Sequence, residues 1–97
     1  MIQKEQAIKE LMQIPGVGKI IAHNLWRIGI HSVDDLKSYT GEVLYNLHNI
    51  DCGTVQDRCV LYVMRCAVYF ANTPKPLQKP ELLKWWNWKN IENIDNF

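Results

Sequence analysis

The stretch Ile14-Pro15-Gly16-Val17-Gly18-Lys19 sets two glycines two residues apart, directly ahead of a lysine that opens an apolar helical pattern. Glycine lets a partner approach the backbone more closely than any side chain allows, and the first amides of a helix point outward without partners of their own. With a lysine beside them, these features suit an anion, and a phosphate above all. Two nucleotide-binding motifs built from the same ingredients fail on spacing. A P-loop needs a glycine five residues before the Gly-Lys pair and a Ser or Thr after it, where this chain has Gln13 and Ile20. A dinucleotide fingerprint needs a preceding strand and a third glycine three residues after the second, where Ile21 stands.

The pattern that does fit is apolar-x-Gly-apolar-Gly, then x-x-x-Ala and an apolar helix, read in IPGVGKIIAHNLWRIGI. This is the helix-hairpin-helix pattern. Val17 is expected to enter the core while Pro15, Gly16, Val17 and Gly18 present backbone to a DNA phosphate. Lys19, His23 and Arg27 recur every four residues and so share one helix face, which would hold the sugar-phosphate backbone without reading sequence. The competing reading is that this face is merely solvated and that the glycines only form a tight corner.

Other residues offer weaker chemistry. Arg58, Tyr62, Arg65 and Tyr69 form one stripe, suited to stacking on bases or phosphates, or simply the line where a buried helix meets water. Trp85, Trp86 and Trp88 cannot all face one side of a helix, because adjacent residues are about 100° apart. Leu82, Leu83 and Trp86 are expected to cap the core, leaving Trp85 or Trp88 for a partner surface. His23, His31 and His48 are scattered and no Cys-x-x-Cys occurs, so no metal or other cofactor is expected. Cys52 lies at a turn, but no base or resolving thiol stands near it in the sequence. Asp34 and Asp35 belong to a helix start. Catalysis is not expected.

The elements that must position these residues read as helices throughout. Ala7, Ile8, Leu11 and Ile14 give the first segment, Gln3 to Gln13, a helical face. A second helix runs from Lys19 to Ile28 and stops at Gly29. Ser32 followed three residues later by Asp35 caps a short helix to about Ser38, and Thr40-Gly41-Glu42 opens a fourth. Thr54 followed by Asp57 repeats the capping pattern and starts the longest helix, to about Ala71, whose apolar surface nearly all round makes it the central one. Residues 72–80 form a proline-punctuated connector, and Pro80 to Trp88 a final short helix. The tail from Asn90 is polar and expected to fray.

LMQIPGVG (11–18) and LHNIDCGT (47–54) share Leu-x-x-Ile and a following turn, at an offset of 36 residues. They suggest two helix-hairpin-helix units, the second degenerate, with Cys52 and Thr54 where Gly16 and Gly18 stand. The fold class is then all-α: a compact bundle of five to six helices with a Trp-rich C-terminal helix. Residues 1–71 form the tandem domain, and 72–97 a connector and helix packed on the same core.

Bulk properties bound the function. The chain has 97 residues, the size of one domain. Its 11 Lys and Arg against 10 Asp and Glu give a formal charge of +1, which argues against a strongly basic nucleic-acid module but not against a local patch. Charges in the first six residues do not suit a secretory signal, and Arg58 and Arg65 interrupt the longest apolar run, so no membrane span is expected. Cys52, Cys59 and Cys66 recur every seven residues. On one helix, steps of about 10 Å are too long for disulfides, so they read as reduced, mostly buried thiols of a cytoplasmic protein.

The hairpin, together with GIHSVDDLK (29–37), DRCVLYVMRCAVYFA (57–71) and PELLKWWNWK (80–89), closely resembles the bacterial helix-hairpin-helix family called "pathogenicity locus". Many of its members carry a mitomycin-resistance label. The first forty residues also resemble the C-terminal domain of TfoX-type competence regulators. The resemblance implies the fold and a link to DNA in the setting of damage or stress, not a defined activity. The expected function is a non-catalytic module, monomeric or weakly dimeric, binding double-stranded DNA weakly and without sequence preference. The alternative is a protein-interaction adaptor whose surface includes Arg58, Tyr62, Arg65, Trp85 and Trp88. A thiol-dependent stress or detoxification role is a third, more distant reading.

Overall fold

The computed structural model describes residues 4–90, all of whose regular elements are helical. Four α-helices run in order: α1 (Lys4–Leu11), α2 (Lys19–Arg27), α3 (Gly41–Cys52) and α4 (Arg58–Asn72). Short 3-10 turns occupy Asp34–Ser38, Lys75–Leu77, Pro80–Leu83 and Trp85–Asn90. The expected fraying of the tail concerns residues 91–97, outside the described residues. Among the described residues no helix is long and apolar enough to cross a membrane.

α4 is central because its sequence has two apolar faces. Val63, Met64, Ala67, Val68 and Ala71 join Leu11, Ile14, Val17, Leu25, Ile30, Leu36 and Leu44 in the main core. On its other side Cys66 and Tyr69 meet Leu82 and Trp88. α1 packs on α2, and α3 on α4.

Local chemistry sets most boundaries. Gly29, at φ +99°, ends α2: its N–H donates to Trp26 at 3.1 Å and that of Ile30 to Leu25 at 2.9 Å. This is a Schellman closure, which needs a left-handed residue. Ser32 Oγ accepts from the Asp35 amide at 3.2 Å, and Thr40 Oγ1 caps α3 by accepting from Val43 at 3.2 Å. Gly41 allows α3 to lie against α4, for a Cβ there would sit 2.8 Å from the Arg65 amide nitrogen.

The structure corrects three expectations. First, Thr54 does not cap α4. The helix starts at Arg58, and the Asp57 carboxylate accepts from the Cys59 amide at 2.9 Å. Residues 54–57 are tied to α3 instead: Tyr45 donates its hydroxyl to the Gln56 carbonyl, and the Gln56 amide donates to Asn49 Oδ1 at 2.9 Å. Asp57→Ala should therefore lower the thermal midpoint by a few degrees, while Thr54→Ala should leave it nearly unchanged in the same melts.

Second, the two turns are not copies. α3 continues through Cys52, the counterpart of Gly16, and Ile50, the counterpart of buried Ile14, is 76% exposed. The break after Cys52 also places Cys52 and Cys59 on different helices, both exposed, so only Cys66 is a buried thiol.

Third, Pro80 to Trp88 is not one helix but two 3-10 turns separated at Lys84, whose backbone is extended. In 3-10 geometry residues three apart eclipse, so Trp85 and Trp88 share the inward side of the second turn, while Leu82 turns inward from the first.

Candidate nucleic-acid interface

Gly16 and Gly18, alike in sequence, differ in what they do. Gly16 has φ +87°, and a Cβ there would sit 2.8 Å from Cδ1 of Trp85, whose indole lies over the turn. Conformation and packing both require glycine. Gly18 has φ −88° and ψ −173°, open to any residue, and nothing lies within 4 Å of where its Cβ would be. It is the N-cap of α2, where Ser, Thr, Asp or Asn would stabilise the helix, yet no side chain caps it. Neither the backbone conformation nor the packing requires a glycine at this position.

Val17 is buried and anchors the turn, its amide donating to the Ile14 carbonyl at 3.0 Å. The first intrahelical bond of α2 runs from Ala22 to Gly18, at 2.9 Å, so the amides of Lys19, Ile20 and Ile21 face the helix mouth ahead of it. Lys19 is exposed beside them. His23 donates through Nδ1 to the Lys19 carbonyl at 2.9 Å. Arg27, expected to extend this cationic face, is paired with Asp51 of α3 at 3.2 Å; that Asp51 oxygen has the guanidinium charge beside it but no well-aligned hydrogen bond.

In place of Arg27 the structure supplies two lysines of α1. A cleft of about 450 Å³ between α1 and α2 has a floor of Ile8 and Met12 and a rim of Lys4, Lys9, Lys19 and His23, with Glu5 the acid among them. The Lys4 ammonium lies 4.8 Å above the Trp26 ring, which stacks on His31. Sequence spacing could not reveal Lys4 and Lys9, since only the packing of α1 on α2 makes them neighbours of Lys19.

The residues expected on a partner surface do not stay together. Arg58 is exposed and Tyr62 half-buried. Arg65, only 6% exposed, bonds Glu42 at 2.7 and 3.0 Å and the Trp88 carbonyl at 2.9 Å. Tyr69 is buried and accepts from the Lys79 amide at 2.8 Å. Trp88 is fully buried, and Trp86, expected to cap the core, is 55% exposed and edge-on to half-buried Trp85. Arg65 and Tyr69 thus lie under the C-terminal segment, while Arg58, at the start of the stripe, faces water.

A further polar group ties α2 to α3. His48 is 2% exposed, with the Asn24 side-chain amide 3.0 Å from Nε2 and Cys52 Sγ 3.8 Å from Nδ1. Burial holds its pKa below the ordinary 6.5, with Asp51 opposing and Arg27 adding to the effect. An imidazole that binds its proton less tightly when folded contributes stability that is complete above 6.5 and is lost as pH falls through and below that value. Melts between pH 7.5 and 5 should show this decline, and His48→Gln should flatten it.

Residues 4–93 match the family model described as Pathogenicity locus. No curated protein and no solved structure matches the chain. With nine-tenths of its length inside that match, the chain belongs to the Pathogenicity locus family.

Proposed function

We propose that the chain is a non-catalytic helix-hairpin-helix module of the cytoplasm, α1 and α2 forming the hairpin, that holds the backbone of double-stranded DNA without reading sequence. The supporting observation is Gly18: a glycine that neither backbone conformation nor packing requires, at the uncapped start of α2. A phosphate there would accept from the amides of Lys19 to Ile21, with Lys19 beside it and Lys4 and Lys9 along the adjoining cleft. The small net charge fits a weak contact of a few phosphates, in a DNA-damage or stress setting.

Titration of a short fluorescent duplex by anisotropy at several salt concentrations tests this. Three lysine contacts predict that log affinity falls with log salt at a slope of about 3, and unrelated duplex sequences should bind equally. Absence of binding at the lowest salt that keeps the protein in solution would favour a protein-interaction adaptor. The half-exposed Trp86, next to the Trp85 that covers Gly16, is the surface such a partner would use.

A further inference from the structure

We propose that Cys52, His48 and Asn24 form a reactive-thiol site, in which Cys52 is the point of covalent addition for small conjugate-acceptor electrophiles. The site is separate from the α2 N-terminus and does not depend on DNA binding. Its geometry is that of an activated nucleophile: a thiol, a base within reach and a third group that fixes the base. His48 and Cys52 are one turn apart on α3, with Sγ 3.8 Å from Nδ1. Asn24 reaches across from α2 to Nε2 at 3.0 Å. The structure sets the amide nitrogen, Nδ2, at Nε2, and a 180° turn of the amide exchanges its two ends. With oxygen facing Nε2–H, Nδ1 becomes the acceptor for the thiol proton.

Exposure divides the labour. His48 is buried, so its orientation is fixed and its neutral form favoured, while Cys52 is exposed at the last residue of α3, where the chain turns away at Gly53. His48 acts as the base during the reaction, taking the thiol proton as the sulfur bonds carbon. Asp51 and Arg27, the charges that face His48, are paired with each other.

The other two thiols are disfavoured. Cys66 is buried, donates to the Leu82 carbonyl at 3.5 Å, and has its pKa pushed up to about 12. The Cys59 thiol is raised by its bond to Asp57. Addition needs no second thiol, whereas the oxidation ladder leads to a disulfide only through one. In the step, the sulfur lone pair forms a bond to the β-carbon of an α,β-unsaturated carbonyl, and the thiol proton passes to Nδ1. The π electrons move onto the enolate, which recovers that proton at its α-carbon. Nothing leaves, and no oxidant is consumed.

The test is competitive labelling of the full chain with limiting N-ethylmaleimide, read per cysteine by peptide mass spectrometry. Cys52 should react at least about tenfold faster than Cys59, with Cys66 silent. In His48→Gln and Asn24→Ala the Cys52 rate should fall toward that of Cys59, while a silent Cys66 reports an intact core. Equal rates at Cys52 and Cys59 in the unaltered protein, or an unchanged Cys52 rate in both variants with Cys66 silent, would overturn the proposal. Should the variants expose Cys66, the unaltered protein decides by its pH profile. A rise of well under tenfold per unit between pH 6 and 8 supports a base at Cys52, and a full tenfold rise per unit, as for an isolated thiol, overturns it.

Discussion

Replacing Trp88 with alanine is expected to destabilise the protein by about 3 to 5 kcal/mol, a large part of the roughly 5–15 kcal/mol that holds a domain together. The indole is fully buried against α4, 5.5 Å from the Tyr69 ring. Its Nε1–H donates to the Leu82 carbonyl at 2.8 Å. Truncation would open a cavity on the outer face of α4 and leave that carbonyl with the Cys66 thiol, at 3.5 Å, as its remaining donor. The Trp88 carbonyl also accepts from Arg65, so disorder of the turn would loosen the Arg65–Glu42 pair as well. Urea denaturation measures the loss. A change below about 1 kcal/mol would mean that this segment is not part of the core.

Gly41→Ala should reverse the usual sign of that substitution. In an exposed helix, glycine to alanine stabilises by up to about 1 kcal/mol. Here the added Cβ would lie 2.8 Å from the backbone nitrogen of Arg65 and 2.9 Å from its Cα. Backbone in the middle of the central helix cannot yield as a side-chain tip can, so α3 must retreat from α4. Glu42, the next residue, would carry its 2.7 Å contact with Arg65 away with it. A loss of about 1 to 3 kcal/mol is expected, read as a lower urea midpoint. A stabilised Gly41→Ala protein would show that the two helices are not in contact at this point.

What could be read from the chain, and what could not, follows the range of the interactions involved. The helices announced themselves through apolar spacing, and the caps at Ser32 and Thr40 were legible because each bonds an amide three residues away. Thr54 and Asp57 were both competent caps by local rules. The choice between them came from Tyr45 and Asn49 of α3, which hold Gln56 outside the helix. The tryptophans do not follow a period of 3.6 because Pro80–Leu83 and Trp85–Asn90 are two 3-10 turns broken at Lys84. At the candidate interface Gly18 and Lys19 were legible, but Lys4 and Lys9 belong to another helix, and Arg27 was claimed by an aspartate 24 residues away. His48, four residues before Cys52, was within reach of a helical-spacing argument. Asn24, supplied by α2, was not.

Gly18→Asp separates what the fold prefers from what a bound phosphate needs. Aspartate is a favoured N-cap residue, and the site has the extended backbone and the space to take it. It should therefore raise stability, by up to about 1 kcal/mol. The same carboxylate would occupy the amides of α2 and set a negative charge in front of them. Duplex affinity at low salt should then fall at least about tenfold, with Gly18→Asn as the uncharged comparison, losing less. A Gly18→Asp protein that is stabilised and still binds duplex DNA as tightly as the unaltered chain would contradict a phosphate site at this turn.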